Sequence, residues 1–364
     1  MAQIIDADTH VSESQAMWDY LDPRLHARRP VLTSVPTDTV HGERNAFWLI
    51  DGFIYPRPMG RAGQALITPS ASVREMARTD IAVESRELTD PAVRLRDMDR
   101  LGVDVQIVFP TLFLCYLTED VELEVALYRA YNRFMGAACM RSNGRLRWAV
   151  IPPLRHIEAS LEELRWGKEH GACGVFFRGM EGDRSLADPY FFPVYQEASD
   201  LDLAICIHTG PGNPGLANHF KIEMSSPFMY NGILPIVAFR DLLAKKIPER
   251  FPSLRFGFIE AGAAWVPYMV GTVLGRRPAD SPGKGAQDLF HDYRLYVACL
   301  PNEDVEYLAR YTGEDHLITG SDYSHQDPAA EPHHIAAMRA HEELPDRVLD
   351  KILGDNARTF YGLS

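Results

Sequence analysis

The sequence predicts an α/β chain that folds as one (β/α)8 TIM barrel with a hairpin-bearing insertion after the first strand. Three observations support this prediction: eight apolar runs have strand length, helical patterns lie between most of them, and ligand-type residues end several of them. The 364 residues would also suffice for two average domains. Alternation of strand and helix favours a parallel sheet with right-handed crossovers, which eight units close into a barrel.

The predicted strands are short apolar runs bounded by Gly, Pro and Asp. They cover residues 4–8, 104–109, 147–151, 173–177, 203–207, 255–259, 294–298 and 316–320. Helical patterns cover residues 93–101, 121–141, 157–170, 190–200, 233–246, 265–274 and 302–312, and a closing helix over 346–360 is expected to contain a turn at 354–357. Continuous hydrophobic strands are typical of parallel sheets, which are buried on both faces.

The alternation breaks between residues 12 and 92. Aromatic residues surround the turn Asp51-Gly52 in this segment, which predicts a hairpin that lies over the barrel mouth. A second long connection, 209–230, follows the strand that leads to His208 and is expected to shape the pocket. We therefore expect one domain over residues 1–364 that includes the insertion 12–92.

Composition narrows the class of protein. Hydrophobic residues make up 46% and charged residues 24%, enough for a large core, and the net charge of −13 without a Lys/Arg cluster excludes a nucleic-acid surface. No apolar run is long enough to span a bilayer, and no signal-peptide pattern is present. The five cysteines lack a CxxC pair and predict buried free thiols. We expect a cytoplasmic protein without nucleic-acid or membrane partners.

Ligand-type residues follow three of the predicted strands: Asp8 and His10, His208, and Asp322. Asp8 and His10 are two positions apart, so a strand points both side chains to the same side. Because the carboxyl ends of barrel strands meet around one mouth, these four residues are expected to lie together. Nitrogen and oxygen ligands at an open site are typical of catalytic zinc. The sequence thus predicts one divalent ion, most simply zinc.

Glu260 and Arg178 also follow predicted strands, and the sequence is compatible with more than one role for each side chain. Glu260 could be a further ligand, a base that takes a proton from metal-bound water, or a cap of the next helix. Arg178 could hold a substrate carboxylate or pair with Glu181 or Asp183.

Two histidines are weaker candidates for the site. His325 could orient Asp322, contact the substrate as a catalytic residue, or be an ordinary loop histidine. His219 lies in the 209–230 connection and is a possible substrate-binding residue.

Several motifs resemble a known family in their order and spacing. They are IDADTHVSE at 5–13, RLRDMDRLGVDVQ at 94–106, YNRF at 131–134, HTG at 208–210 and GSDYSH at 320–325. The chain resembles the amidohydrolase superfamily, in the branch related to aminocarboxymuconate-semialdehyde decarboxylase, over nearly its whole length. The resemblance implies a distorted (β/α)8 barrel with one divalent metal, usually zinc and sometimes manganese, and it implies by analogy a homodimer.

The resemblance also implies a ligand set. The family's first-strand pair falls on Asp8 and His10, its fifth-strand histidine on His208, and its eighth-strand aspartate on Asp322. Many members have His-x-His on the first strand, whereas the first position here is Asp8.

Two further positions depart from the family pattern. Decarboxylases of the family commonly place a catalytic histidine after the sixth strand, where this chain has Glu260. The carbamylated lysine that builds two-metal sites elsewhere has no counterpart, because Arg178 follows the fourth strand, so one metal is expected.

We expect, first, a metal-dependent carboxy-lyase, a decarboxylase that removes CO2 from a small carboxylated substrate. In this enzyme Asp322 or Glu260 would move the proton, and Arg178 or His325 would steady the substrate. The alternative is a hydrolase of an amide, lactone or related bond in which Glu260 is the base for metal-activated water. A third interpretation is a barrel that has lost catalysis and only binds a ligand or partner. For the enzyme, the expected partner is a small-molecule carboxylate or carbonyl substrate.

Overall fold

Eight parallel strands form the centre of the protein. The computed structural model describes residues 3–38, 45–56, 69–71, 80–213, 215–216, 232–275, 285–326 and 330–363. The barrel strands, numbered one to eight here, are Ile5–Val11, Val105–Pro110, Leu146–Val150, Ala172–Arg178, Ala204–His208, Phe256–Ile259, Leu295–Ala298 and Leu317–Ile318. They neighbour one another in chain order, and every pair is parallel. The predicted barrel is confirmed, and its strand boundaries differ only slightly from the expected ones.

Helices connect the strands, as the alternation predicted. The described helices are Val83–Arg86, Pro91–Leu101, Val121–Met140, Ile157–Glu169, Phe192–Asp200, Leu234–Ala244, Ile247–Arg250, Val266–Leu274, Ala286–Tyr293, Val305–Thr312, His334–Arg339, Asp346–Asp350 and Asn356–Tyr361. The longest begins after Asp120, whose side chain accepts hydrogen bonds from the backbone amides of Glu122 and Leu123. Within the described part of the chain, no helix combines the length and the apolar character that crossing a membrane requires.

The barrel strands are buried on both faces because helices cover the outside of the sheet. Every residue of the first, fourth and fifth strands is buried. The five cysteines are free and buried, as their apolar surroundings predicted.

The insertion after the first strand contains the predicted hairpin. Strands Ala46–Ile50 and Phe53–Tyr55 pair antiparallel, and Val31–Ser34 adds a third strand. Asp51 and Gly52 have φ values of 48° and 80°, the left-handed pair that a two-residue hairpin turn requires.

Side chains of the insertion hold it against the loop that follows the second barrel strand. The Tyr55 hydroxyl donates to the carbonyl oxygen of Tyr116 at 3.3 Å. Arg28 forms ion pairs with Asp51 at 2.7 Å and with Asp120 at 2.6 Å. Since this loop leaves the carboxyl end of the second strand, these contacts place the hairpin on the mouth side of the barrel.

The expected turn at 354–357 is wrong. A π-helical segment, Lys351–Asp355, joins Asp346–Asp350 to Asn356–Tyr361 without a break. The glycine is needed here for close packing, because a Cβ at Gly354 would lie 2.0 Å from the carbonyl oxygen of Gln3.

Candidate metal centre

The ligand-type residues all lie at the carboxyl ends of barrel strands. Asp8 and His10 belong to the first strand, His208 ends the fifth, Glu260 follows the sixth, and Asp322 lies shortly after the eighth. Glu260 and Asp322 have φ values of 61° and 50°, a left-handed conformation that is uncommon outside glycine. Sparsely populated backbone conformations of this kind often mark functional sites.

The two histidines face each other across the barrel mouth. The ring centroids of His10 and His208 are 5.0 Å apart, and the planes meet at 78°. Oδ1 of Asp8 lies 3.5 Å from Nε2 of His10 and 3.4 Å from Nε2 of His208. The two imidazoles are therefore close enough to share one ion with this carboxylate.

Two more carboxylates approach the same point. Oε2 of Glu260 lies 3.2 Å from Nε2 of His208 and 3.7 Å from Nε2 of His10. Oδ1 of Asp322 lies 3.3 Å from Nε2 of His10. The donors form two overlapping groups, in each of which the atoms lie within 4.8 Å of one another: Asp8, His10, His208 and Glu260, and His10, Glu260, Asp322 and His325.

The hydrogen bonds of His10 fit a metal ligand. Its Nδ1 lies 2.9 Å from the carbonyl oxygen of Pro110, and since a carbonyl only accepts, Nδ1 carries the proton. In the neutral ring, Nε2 then presents a lone pair, and this buried atom has no hydrogen-bond partner among the described residues. A lone pair near carboxylate oxygens is repulsive unless a cation lies between them. The donor set therefore fits a divalent cation.

The two donor groups can hold only one ion at a time. Both of them require Nε2 of His10, and a nitrogen lone pair binds a single metal. Nδ1 of His10 cannot serve a second ion because it donates to Pro110.

The protonation of the site agrees with metal binding, which needs neutral imidazoles and ionised carboxylates. Burial lowers the pKa of His10, although the nearby Asp8 opposes this shift. Burial also lowers the pKa of His325 well below its ordinary value, and His10 adds to the effect. For Asp8, burial would raise the pKa, but His208 and His10 together hold it well below the usual range.

The described contacts of Glu260 favour a role in the site over the helix-cap alternative. The carboxylate of Glu303 accepts the backbone amides of Ala263 and Ala264 instead, both at 2.8 Å. Oε2 of Glu260 accepts a hydrogen bond from the Thr209 hydroxyl at 3.0 Å, which holds it toward the imidazoles.

His325 is buried in the site and contacts three groups. Its Nδ1 lies 2.8 Å from Oδ1 of Asp322, and its Nε2 lies 2.9 Å from the hydroxyl of Thr111. Its ring stacks on His10 with centroids 3.8 Å apart. The structure thus places His325 where it can orient Asp322.

Arg178 is paired within the protein. Its guanidinium donates to Oε2 of Glu181 at 2.6 Å and lies over the ring of Tyr116, 3.9 Å from the centroid. Of the two readings of Arg178, the pairing with Glu181 describes the observed contacts, and a role in holding substrate stays a prediction. His219 and most of the 209–230 connection lie outside the described residues.

Two further residues, which were not predicted from the sequence, contact the site. Thr111 follows the second strand and bonds to His325, and Thr209 follows the fifth strand and bonds to Glu260. Both threonines could have been predicted from their position, because each directly follows the end of a strand, as the acidic and histidine candidates do.

Three comparisons relate this architecture to known proteins. Over 297 residues, 75% of this chain and 77% of the other, the chain is 24% identical to 2-amino-3-carboxymuconate-6-semialdehyde decarboxylase of Dictyostelium discoideum. It superposes on an amidohydrolase from Mycobacterium avium subsp. paratuberculosis with a TM-score of 0.78 and 19% identity, covering 100% of this chain and 98% of the other. It superposes on 5-carboxyvanillate decarboxylase of Novosphingobium aromaticivorans, solved with manganese and a nitrobenzoic acid, with a TM-score of 0.66 and 18% identity, covering 100% and 96%.

A closed (β/α)8 barrel with histidines and carboxylates gathered at the carboxyl ends of its strands defines a class of barrel enzymes. Residues 5–363 match the family described as amidohydrolase. The chain belongs to the amidohydrolase family and is an enzyme.

Proposed function

We propose that this protein is a metal-dependent decarboxylase that removes CO2 from a small carboxylated substrate, aromatic or unsaturated. The observation that carries the proposal is the gathering of the two imidazoles and three carboxylates at the barrel mouth in two overlapping donor groups, which share His10 and Glu260. The names of two relatives support it, since both are decarboxylases of small carboxylated compounds.

Five side chains are proposed to contribute to the ion site. His10 and His208 would bind it through Nε2, Asp8 and Asp322 through Oδ1, and Glu260 through Oε2. When bound, a divalent ion neutralises a substrate carboxylate and polarises an adjacent oxygen. The sequence left two roles open for Glu260, metal ligand and base, and this proposal assigns it the ligand role.

The donor set bears on the identity of the metal. Three carboxylates among five donors make a harder, more oxygen-rich site than the histidine-rich sites of catalytic zinc. This composition favours manganese, which the Novosphingobium structure contains. The sequence-based expectation of zinc therefore has manganese as its rival, and metal analysis of the purified protein decides between them.

The Asp322–His325 pair can move the proton that a decarboxylation requires. After CO2 leaves, the carbon atom that carried it takes up a proton. Nδ1 of His325 lies 2.8 Å from Oδ1 of Asp322, and Thr111 contacts the opposite nitrogen of the ring. Because the pair is buried and Thr111 contacts the other ring nitrogen, the pair can hold a proton beside the ion site.

Hydrolysis of an amide or lactone stays the second reading. It requires Glu260 to be the base for an attacking water. In the structure, Oε2 of Glu260 accepts from Thr209 and faces both imidazoles, which suits a ligand better than a base. The homodimer and the cytoplasmic location inferred from the sequence also stay predictions.

Product analysis tests the proposal. Metal-free protein would be reloaded with Mn²⁺ or Zn²⁺ and incubated with a panel of hydroxylated aromatic carboxylic acids, with CO2 release as the readout. We expect CO2 from at least one acid, with loss of release in the metal-free protein and in His208→Ala. Release of an amine or a ring-opened acid from amides or lactones, without CO2, would establish the hydrolase reading instead.

A further inference from the structure

The first barrel strand and the segment after the eighth carry three of the five proposed ligands, yet the seam between these strands is irregular. The eighth strand has only the two residues Leu317–Ile318, and Asp322 lies beyond it. Three described backbone hydrogen bonds join the two segments: the Ala7 amide donates to Thr319 at 3.1 Å, the Asp322 amide donates to Asp8 at 3.0 Å, and the His10 amide donates to Tyr323 at 2.9 Å. Beyond the eighth strand, contact with the first strand continues as an isolated bridge between Thr9 and Tyr323, so side chains can contribute to the position of Asp322.

Side chains on the outer surface of the sheet strengthen this seam. The register of the first strand shifts between Asp6 and Thr9, which turns Asp6 away from the mouth. The fully buried carboxylate of Asp6 accepts from the Ser321 amide at 2.8 Å and from the Ser321 hydroxyl at 2.6 Å. It also accepts from the Gln106 side chain at 3.3 Å. Asp6 therefore fixes the residue directly before Asp322.

Arg94 extends this network from the helix Pro91–Leu101. Its Nε donates to Oε1 of Gln106 at 2.6 Å, and its Nη1 donates to the carbonyl oxygen of His10 at 3.1 Å. Its guanidinium lies over the ring of Tyr323, 3.8 Å from the centroid. One buried cation thus contacts the backbone of His10 and the residue directly after Asp322.

Stability alone is a poor explanation for this arrangement. Arg94 is 0% exposed, Gln106 stands between it and Asp6, and its Nη2 has no hydrogen-bond partner among the described residues. Buried charged networks of this kind can often be replaced by apolar side chains at little cost in stability. A geometric role accounts for them better.

We infer that Arg94, Gln106 and Asp6, which we call the outer clamp, are positioning residues for the metal centre. They hold Oδ1 of Asp322 and Nε2 of His10 at the separation of 3.3 Å that one shared ion requires. The inference rests on the proposed metal site, and it assigns a task to the RLRDMDRLGVDVQ motif that begins at Arg94 and ends at Gln106.

The clamp is tested by measuring metal affinity in single-substitution variants of the full chain. Arg94→Met and Gln106→Met remove its polar contacts at similar volume. Glu163→Gln is the matched control, since Glu163 is a fully buried acceptor that bonds to Asn132 and Arg133 between two outer helices. The dissociation constant for Mn²⁺ and for Zn²⁺ would be measured on metal-free protein by chelator competition, with the visible spectrum of a Co²⁺-loaded sample as a second reporter of ligand geometry.

We expect the clamp variants to bind metal about 10- to 100-fold more weakly and to show an altered Co²⁺ spectrum. Glu163→Gln should keep the metal affinity and the Co²⁺ spectrum of the parent protein, even if its melting temperature falls as much as those of the clamp variants. Parent-like affinity in both clamp variants, or an equal loss in the control, would overturn the inference.

If either methionine variant fails to fold, Arg94→Lys provides the test. A lysine cannot reach Gln106 and the His10 carbonyl together, so we expect a loss of about tenfold, and parent affinity would overturn the clamp. Absence of metal binding by the unmodified protein would instead overturn the metal centre itself.

Discussion

Nε2 of His10 and Oδ1 of Asp322 lie 3.3 Å apart, although 312 positions separate the two residues in the sequence. Neither residue can bring about this approach alone. Asp322 depends on a left-handed backbone at φ 50°, and His10 depends on the hydrogen bond from its Nδ1 to Pro110. The ion site therefore lies where the first strand of the barrel meets the segment after the last.

His325→Ala should lower turnover by about 10²- to 10⁴-fold while the metal content stays unchanged, because His325 is proposed to move a proton and not to hold the ion. Steady-state kinetics and metal analysis measure the two effects separately. His334→Ala is the control, since His334 is another buried imidazole, on the helix His334–Arg339. Equal turnover in the two variants would remove His325 from the mechanism.

Thr209→Val should lower turnover by about tenfold or more, because Oε2 of Glu260 loses the hydroxyl that donates to it at 3.0 Å. The volume of the side chain barely changes. Thr312→Val is matched to it, since the buried Thr312 hydroxyl donates at 3.0 Å to the carbonyl oxygen of Leu308 in an outer helix. We expect parent kinetics from Thr312→Val, and a similar loss in both variants would speak against a specific task for Thr209.

Glu13 should make the stability of the protein depend on pH. Burial raises the pKa of Glu13 to about 7 from 4.5, although its carboxylate accepts the backbone amides of Thr111 and Leu112. The folded protein therefore keeps the proton to higher pH than the unfolded chain, so stability falls as the pH rises through this window.

Between pH 5.5 and 8, this group should reduce the free energy of unfolding by about 2 kcal/mol. Glu13→Gln removes the titration and should flatten the curve by that amount, with the gain in stability seen at pH 8. Urea unfolding of the parent protein and of Glu13→Gln at several pH values in this range measures the pH dependence of the free energy of unfolding. Parallel curves for the two proteins would show that Glu13 is ionised in the folded state throughout.

The barrel could be predicted from the sequence because its signal is repeated eight times and each repeat is local. A fully buried parallel strand reads as a continuous apolar run, as in Ala204–His208, and the helix after it has its own periodicity. The position of His208 at the end of such a run followed directly, since barrel strands place their carboxyl ends together.

Other features depend on contacts between distant segments, which no local pattern records. Arg178 had two equal readings because the partner of a buried cation is set by the loop that folds back on it, here at Glu181. The role of Glu260 depended on whether Glu303 would take the helix amides. The bulge in the first strand, which separates Asp6 from Asp8 and His10, breaks the period of two on which a sequence argument relies.

Metal stoichiometry tests the central claim most directly. The protein would be purified without added metal, reconstituted with Mn²⁺ or Zn²⁺, and analysed by plasma mass spectrometry beside a variant that carries His10→Ala and His208→Ala together. The account predicts about one equivalent of divalent metal in the parent protein and almost none in the variant. A reconstituted and folded parent protein with less than about a tenth of an equivalent, or a variant that binds as much metal as the parent, would contradict it.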